Sequence, residues 1–255
     1  MIDLSLEILG SGTSQGVPVI GCACPVCSSR NPKDNRLRSS ALISYENTAV
    51  LIDCGPDFRQ QMLRSGQKHV DAVLLTHEHM DHVSGLDDLR SVQFSANKPT
   101  KIYCTDRVAQ RVKEQFAYAF GEQHYPGAPR FELIPILPGL PFEVGNKRWI
   151  PIEGHHGEWP VLGFRMDELV YLTDVRSMDP LEIDKIRGAK KLIVNALRIK
   201  PHYSHFHLEA AIAFAVETGV PAVYFTHISH SLGLHDEISL LLPKGMQLAY
   251  DGLKI

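Results

Sequence analysis

The sequence predicts an α/β protein built from two sheets that pack together with helices outside. Short apolar runs rich in Val, Ile, Leu and Tyr alternate with helical patterns, and each half of the chain contains this mixture. The 255 residues suffice for one large domain or two small ones. No repeat, low-complexity segment or Gly/Ser linker divides the chain, so we expect a single domain over residues 1–255.

Eleven runs are predicted to be strands, because β-branched and aromatic residues are frequent in them and Gly, Pro, Asn or Asp residues bound them. In chain order they cover residues 4–9, 40–45, 49–53, 72–76, 101–104, 148–152, 161–166, 169–173, 192–195, 222–226 and 247–250. His or Asp residues follow several of these strands. The strand ends are therefore candidate positions for a functional site.

Four helices are predicted, and they cover residues 57–65, 107–120, 208–218 and 235–242. In the third, apolar residues recur at helical spacing, and Gly219 followed by Pro221 ends the helix. Residues 121–130, which include Pro126 and Pro129, are predicted to form a loop that lies beside a site as a lid.

The charge of the chain argues against a dedicated nucleic-acid binder. The formal net charge is −3, so no general basic field attracts polyanions. The net charge does not exclude a basic groove at one place on the surface. The N-terminus lacks the cationic and apolar regions of a signal peptide, and no apolar run approaches the length of a membrane span. We therefore expect a cytoplasmic protein.

Residues 77–82 form the most informative segment, with the sequence His-Glu-His-Met-Asp-His directly after an apolar run. Imidazole nitrogens and carboxylate oxygens are the ligands that Zn²⁺ and Mn²⁺ accept. If the segment is extended, alternate residues point opposite ways, so the pattern H-x-H-x-D-H reaches two metals at once. Met80, at its centre, is expected to be a spacer that packs inward.

Three further candidate ligands follow predicted strands, namely His156, Asp174 and His227. A lone His or Asp at a strand end is usually a cap or a surface residue. Together with the four donors of residues 77–82, however, they make a coherent set of seven ligands. Such a set, drawn from separate strand ends, is typical of a site that activates water.

The H-x-H-x-D-H motif followed by a His, an Asp and a His in this order resembles the metallo-β-lactamase superfamily. The resemblance covers the whole chain and implies a four-layer αββα sandwich with the site at one edge of the two sheets. By this resemblance, one ion is held by His77, His79 and His156, the other by Asp81, His82 and His227, and Asp174 bridges the two. His155 is a rival for the role of His156, which is preferred because its spacing from residues 160–163 fits the family pattern better.

Two divalent ions a few ångströms apart lower the pKa of a shared water and so supply hydroxide near neutral pH. The carboxylate of Asp81 can orient that hydroxide as well as bind a metal. Zn²⁺ and Mn²⁺ both suit these ligands. Asp53, at the end of the strand 49–53, resembles the family's carboxylate that orients the ligand segment. On the residues alone, a turn residue is as good an interpretation of Asp53.

A second metal site is indicated by Cys22, Cys24 and Cys27, which form a C-x-C-x2-C loop at about residues 21–28. A structural zinc needs four ligands, and His230 is the best candidate for the fourth. On the residues alone, three reduced surface thiols are an equally good interpretation.

Within the superfamily, the chain resembles the PhnP-type subgroup, the 5-phosphoribosyl 1,2-cyclic phosphate phosphodiesterases. It shares with that subgroup the start Gly-Thr-Ser-Gln-Gly-Val-Pro at residues 12–18, the cysteine loop, and the ending Thr-His-Ile-Ser-His at residues 226–230. The resemblance implies the structural zinc, a homodimer, and cleavage of small phosphodiesters, cyclic ones included. Proteins of pyrroloquinoline-quinone biosynthesis also carry a cysteine loop, so the loop alone does not decide the function.

Phosphodiester hydrolysis needs a proton for the departing alkoxide, and a histidine suits this role near neutral pH. Three histidines precede the helix 208–218, namely His202, His205 and His207. His205 lies 22 residues before His227, which matches the family's active-site histidine and implies a general acid or phosphate binder. His207 is the runner-up, with a helix-start residue as its other interpretation, and His202 is expected to be exposed.

Two other functions share this fold. A tRNA 3′-processing endonuclease would hold tRNA with a protruding arm, but the chain has no long Gly- or Lys-rich insertion. A cofactor-biosynthesis protein that does not hydrolyse its ligand would have no need of seven metal ligands. A small-molecule phosphodiester is therefore the expected substrate.

Overall fold

The structure is a computed structural model that describes residues 4–96, 98–120 and 127–255. Part of the predicted loop 121–130 lies outside the described residues. The chain forms two compact units: unit 1 comprises Met1–Leu9, Ser40–Leu137 and Gly252–Ile255, and unit 2 comprises Gly10–Ser39 and Pro138–Asp251. That residues 1–255 act as one domain stays a prediction.

Unit 1 contains a mixed sheet of six strands in chain order. They are β1 (Ser5–Gly10), β2 (Ser40–Tyr45), β3 (Thr48–Ile52), β4 (Ala72–Leu74), β5 (Thr100–Cys104) and β6 (Phe131–Pro135). β2 and β3 are antiparallel, whereas β3, β4, β5 and β6 are parallel neighbours. Parallel strands end at the same edge of a sheet, so the residues after β3 and β4 lie at one edge.

Among its described residues, unit 1 contains four α-helices: α1 (Phe58–Ser65), α2 (Met80–Val83), α3 (Arg90–Ala96) and α4 (Asp106–Gln115). Short 3₁₀ helices cover Leu86–Leu89 and Ala117–Ala119. The buried faces of α1 and α4 contribute Met62 and Val112 to one apolar cluster with Leu51 and Val73 of the sheet. This packing supports the strands whose ends carry residues 53 and 77–82.

Unit 2 contains a mixed sheet of seven strands in chain order. They are β7 (Phe142–Val144), β8 (Lys147–His156), β9 (Trp159–Met166), β10 (Leu169–Tyr171), β11 (Lys191–Asn195), β12 (Ala222–Thr226) and β13 (Met246–Leu248). The strands β7 to β10 form an antiparallel meander, and β10 to β13 are parallel.

The helices of unit 2 are α5 (Pro180–Asp184), α6 (Leu208–Thr218) and α7 (His235–Ser239), with a 3₁₀ helix at Pro32–Asp34. The buried residues Ala211 and Ala215 of α6 pack in one cluster with Val194 and Phe225 of the sheet. Gly219 ends α6 in a left-handed conformation with φ 70°, which glycine adopts without strain.

The predicted mixture of strands and helices in each half is confirmed, and residues 40–45, 222–226 and 208–218 have the predicted bounds. The strands β6 and β7 were not predicted; both are short, and their residues are mostly half-buried or exposed. The helix predicted at 107–120 is wrong in extent, since α4 ends at Gln115. In the described parts of the chain, no helix has both the length and the apolar character needed to cross a membrane.

Candidate metal centres and active site

The segment 77–82 begins at the edge of the unit 1 sheet, shortly after β4. His77 and His82 are buried, Asp81 is half-buried and His79 is exposed. The segment is not extended throughout: α2 begins at Met80, and the His82 amide donates to the His79 carbonyl oxygen at 2.9 Å. The expected alternation of an extended segment is therefore wrong beyond His79. The expected inward packing of Met80 is wrong too, because its side chain is 59% exposed.

Asp53 anchors this segment from the end of β3. Its Oδ1 accepts a hydrogen bond from the Thr76 amide at 2.9 Å, and its Oδ2 accepts from the Thr76 hydroxyl at 2.8 Å. The same Oδ2 lies 2.6 Å from His82 Nδ1. Burial raises the pKa of Asp53, and the adjacent His82 opposes that rise. With Nδ1 bound to Asp53, His82 presents Nε2 as its ligand atom, which is the usual arrangement of a metal-binding histidine.

The rings of His79 and His82 lie beside that of His77, and the Asp81 carboxylate lies beside His82. The His77 Nδ1 lies 3.0 Å from the Thr76 hydroxyl, and the His77 ring centroid is 4.5 Å from that of His79 and 4.2 Å from that of His82. The Asp81 Oδ2 lies 3.1 Å from His82 Nε2. Unit 1 thus brings four predicted ligands together, and their nitrogen and oxygen donors fit Zn²⁺ or Mn²⁺.

The predicted ligands of unit 2 converge on Asp174, which follows β10. Its Oδ1 lies 3.1 Å from His227 Nε2 and 2.9 Å from His205 Nε2. Donor atoms of His156, Asp174 and His205 all lie within 4.8 Å of one another. The geometry therefore places His205, predicted as an acid, among the metal-binding donors as well.

His156 and His155 are consecutive residues of β8, so their side chains point to opposite faces of the sheet. His156 is buried, and its Nδ1 lies 2.9 Å from the Ser204 carbonyl oxygen and 3.1 Å from that of Asp174. These contacts leave Nε2 as the ligand atom of His156. His155 is half-buried and forms a backbone bridge with Ser177 instead.

Two candidate ligands sit on unusual backbone. Asp174 and His227 have φ of 59° and 53°, and Asp53 in unit 1 has φ of 59°. This left-handed region is costly for residues other than glycine, and such strain is concentrated at functional sites. In unit 2, Asn195 clamps the chain after Asp174: its Oδ1 accepts from the Val175 amide at 2.8 Å, and its Nδ2 donates to the Val175 carbonyl at 3.0 Å.

Asn195 was not predicted as a site residue. It is fully buried at the end of β11. The sequence signal for it is an Asn that ends the apolar run 192–195. A single Asn after an apolar strand is too common to single out, because the same residue type often forms turns.

The histidines before α6 occupy different environments. His205 is buried, and its Nδ1 lies 3.0 Å from the Ser204 hydroxyl. His202 is half-buried, and not exposed as expected, with its ring 5.0 Å from that of His205. Burial lowers the pKa of His202. His207 precedes the first residue of α6 without a side-chain cap bond, and its Nε2 is 4.0 Å from Glu209 Oε2.

The cysteine loop lies in unit 2 together with its predicted fourth ligand. His230 Nδ1 is 3.3 Å from Cys22 Sγ, 3.5 Å from Cys24 Sγ and 3.4 Å from Cys27 Sγ. A tetrahedral zinc with Zn–S of about 2.3 Å and Zn–N of about 2.0–2.1 Å separates S from N by about 3.6 Å. The four donors therefore fit zinc in type, number and spacing.

Thiolate is the form that binds a metal, and the backbone favours it here. The Cys27 amide donates to Cys24 Sγ at 3.4 Å, and the Val19 amide donates to Cys27 Sγ at 3.3 Å. The Cys27 amide, followed by His230, lowers the pKa of Cys24 to about 6. Burial acts the other way on Cys27 and raises its pKa to about 11. Cys24 is therefore the thiol of the loop that is suited to bind a cation as thiolate near neutral pH.

Residues 48–228 match the model of a family described as Beta-lactamase superfamily domain. The match covers more than half of the chain, so the protein belongs to this family. The predicted metallo-β-lactamase fold is confirmed by that membership.

Two relatives among characterised proteins carry different names. The chain is 41% identical to an octanoyltransferase of Porphyromonas gingivalis, over 97% of the chain and 50% of that protein. It is 30% identical to coenzyme PQQ synthesis protein B of Rhodopseudomonas palustris, over 99% of each. The chain thus spans half the length of the first relative and nearly all of the second.

Among solved structures, a diphosphatase from the PhnP family superposes with a TM-score of 0.93 at 40% identity, over 100% of this chain and 98% of that one. Zn²⁺-bound PqqB from Methylobacterium extorquens superposes with a TM-score of 0.79 at 21% identity, over 98% and 99%. Human short-form tRNase Z superposes with a TM-score of 0.73 at 18% identity, over 98% of each chain. The last two share the fold alone.

The first of these structures bears out the predicted likeness to the PhnP subgroup. Together with the fold, it supports a metal-dependent hydrolase. The donor groups of both units supply the residue types that such an enzyme uses.

Proposed function

We propose that the protein is a phosphodiesterase that cleaves small phosphodiesters, cyclic ones included, with a hydroxide activated by two divalent ions. The supporting observation is the orientation of the buried histidines. His82 and His156 each have Nδ1 within 3.1 Å of a carboxylate or carbonyl oxygen, so Nε2 is the ligand atom in both. Hard carboxylate oxygens alongside imidazoles suit Zn²⁺ or Mn²⁺ and a phosphoryl substrate.

In this proposal the ligands divide as the family pattern implies. One ion takes His77, His79 and His156, the other takes Asp81, His82 and His227, and Asp174 bridges them. A third ion, a structural zinc, takes Cys22, Cys24, Cys27 and His230. Asp53 orients the segment 77–82 through Thr76 and His82.

When bound, the two ions supply an activated hydroxide and neutralise charge on the phosphoryl oxygens. The Asp81 carboxylate orients the attacking water. His205 would donate the proton that the departing alkoxide takes, because its Nε2 lies 2.9 Å from Asp174 Oδ1 and so beside the proposed ions. His205 lies beside the cluster that it serves, whereas His207 stands at the start of α6.

The names of the relatives suggest other activities. Acyl transfer, as in an octanoyltransferase, has weak support, because the chain spans half of that relative. The cysteines of this chain are also poor acyl acceptors, because Cys54 and Cys104 are buried and the other three converge on His230. RNA processing rests on the shared fold alone. Cofactor biosynthesis has the additional support of 30% identity to coenzyme PQQ synthesis protein B over nearly the whole of both chains.

The proposal is tested by measuring turnover of bis(p-nitrophenyl) phosphate and of cyclic ribose phosphates. Zn²⁺ or Mn²⁺ is added, and the metal content of the protein is measured. Hydrolysis of both is the expected result. Absence of turnover in protein shown to hold its metals would contradict it, and efficient shortening of precursor tRNA would favour the nuclease instead. Light scattering and cell fractionation would test the homodimer and the cytoplasmic location, which stay predictions.

A further inference from the structure

A cavity of about 690 Å³ opens beside His156 in unit 2. Its lining residues are His156, Gly157, Glu158, Trp159, Arg176, Ser177 and Tyr203. This volume lies within the range of small-molecule sites. Since His156 is a proposed metal ligand, a molecule in the cavity would lie next to the reaction centre.

Two aromatic side chains line the cavity with much of their surface in water. Trp159 is 58% exposed and Tyr203 is 85% exposed. The only other tryptophan, Trp149, is fully buried, so exposure is not the general state of this residue type in the chain. Exposed rings beside a cavity are suited to stacking with a planar ligand.

The backbone holds both rings in position. Trp159 begins β9 and pairs with His156 across the tight turn between β8 and β9. The turn residue Gly157 has φ 63°, so the two strands reverse direction without strain. The ring of Tyr203 packs against that of His202 with a centroid distance of 4.7 Å.

Among the lining residues, Arg176 supplies a cation and Glu158 supplies an exposed carboxylate. The Arg176 amide donates to the His155 carbonyl at 2.7 Å, and its Nε donates to the His202 carbonyl at 3.2 Å. The first bond fixes the backbone of Arg176, and the second restrains its guanidinium, whose fork matches a phosphate. The Glu158 carboxylate can accept hydrogen bonds from sugar hydroxyls.

We propose that this cavity binds the nucleoside part of a mononucleotide phosphodiester. The base stacks on Trp159 and Tyr203, a ribose hydroxyl donates to Glu158, and Arg176 contacts a phosphate oxygen. The inference rests on the proposed phosphodiesterase and specifies its substrate. One guanidinium balanced by one carboxylate does not match the backbone of a long RNA, so a mononucleotide is the occupant.

Tryptophan fluorescence tests binding without turnover. Trp149→Phe leaves Trp159 as the single tryptophan of the chain, and wild type serves as a second sample because Trp149 is buried. Adenosine 5′-monophosphate should quench the fluorescence of the metal-loaded protein saturably, whereas ribose 5-phosphate should not. Equal behaviour of the two ligands, quenching or none, would overturn the proposal.

Kinetics give a second test. Trp159→Ala and Tyr203→Ala should each lower the ratio of kcat/KM for 2′,3′-cyclic AMP over cyclic ribose phosphate by roughly tenfold, because stacking of one base is lost. Most of the change should be in KM, and Trp159→Phe should restore much of it. Phe94→Ala, at a ring that is 64% exposed in unit 1, should leave the ratio unchanged.

The two proposals fail separately. Turnover of simple phosphodiesters without selective quenching would refute the nucleoside site and leave the phosphodiesterase standing. Selective quenching without turnover of any phosphodiester would refute the phosphodiesterase, while the nucleoside site would be supported. A single-stranded RNA that binds far more tightly than the mononucleotide, with strong salt dependence, would overturn the mononucleotide as the occupant.

Discussion

The two units supply candidate ligands in contrasting ways. In unit 1, four donors lie within the six consecutive residues 77–82, and one carboxylate, Asp53, holds the segment. In unit 2, the donors come from separated points, namely the ends of β8, β10 and β12 and the segment before α6. The donors of residues 77–82, here called the contiguous set, depend on one turn of chain. The donors of unit 2, here called the dispersed set (His156, Asp174, His205 and His227), depend on the register of several strands. The comparison shows that similar donors can be positioned locally or by a whole sheet.

The units nevertheless share one device, the left-handed residue after a strand. Asp53 in unit 1 and Asp174 in unit 2 both have φ of 59°. Glu46 and Asp167 have nearly the same backbone, with φ of 50°, but they lie in the turns after β2 and β9. They are therefore matched controls for substitutions at Asp53 and Asp174.

The largest effect is expected at the centre of the dispersed set. Asp174→Ala should lower kcat/KM by about 1,000-fold, since several kcal/mol of charge stabilisation depend on the bound ions. Metal content should fall in the same sample, as measured by mass spectrometry of the elements. Asp167→Ala should retain both. Full activity of Asp174→Ala would show that the dispersed set is not the reaction centre.

A smaller effect is expected for the proton donor. His205→Ala should lower kcat by about 100-fold, the range of general acid catalysis. A substrate with a good leaving group, p-nitrophenolate, should be affected less because it needs no proton. Metal content separates this role from that of a ligand, since loss of an ion would assign His205 to metal binding. If His207→Ala lowers kcat by about 100-fold while His205→Ala leaves kcat unchanged, His207 is the proton donor.

In the contiguous set, the positioning carboxylate should matter less than a ligand. Asp53→Ala should weaken metal binding by about 10- to 100-fold, because His82 loses the partner of its Nδ1. Competition with a chelator measures this affinity, and Glu46→Ala is the control. Unchanged affinity in Asp53→Ala would mean that residues 77–82 hold their geometry unaided.

The cysteine loop should affect stability more than turnover. Cys24→Ser should remove one zinc per chain and lower the melting temperature, because the thiolate converges with three other donors on one point. Turnover should change less than in the Asp53 variant once metals are restored. An unchanged zinc count would show that the loop holds no metal.

The smallest effect concerns a buried pair in unit 2 away from the predicted ligands. His235 Nδ1 accepts from Arg36 Nη2 at 3.1 Å, and burial followed by the charge of Arg36 lowers the pKa of His235 from 6.5 to about 4. The unfolded chain therefore binds the proton first, and stability is lost as pH falls from 6.5 to 4. A pKa shift from 6.5 to about 4 corresponds to a loss of at most about 3 kcal/mol, which denaturant titrations would measure. In His235→Asn, which keeps an acceptor for Arg36, this pH dependence should shrink.

Local pattern predicts some elements well. The helix α6 has the predicted bounds because its apolar spacing is helical and a glycine follows it. The strands β2 and β12 are mostly apolar, with Ser39 and Glu46 beside β2 and Pro221 and His227 beside β12. The helix α2 was missed because residues 77–82 were interpreted as extended. The sequence does not show that the His82 amide bonds to the His79 carbonyl and turns the chain.

By itself, the sequence determined the donor inventory: the segment 77–82, the cysteine loop, and the His and Asp residues after strands. These depend on residue type and spacing along the chain. Only the tertiary structure decided which atoms point where. In the folded chain, His156 rather than His155 lies beside Asp174. The Nδ1 atom of His82 contacts Asp53, and Asn195 bonds to the backbone of residue 175. Such choices depend on partners 18 or more residues away, because strand pairing and burial bring them together only in the folded chain.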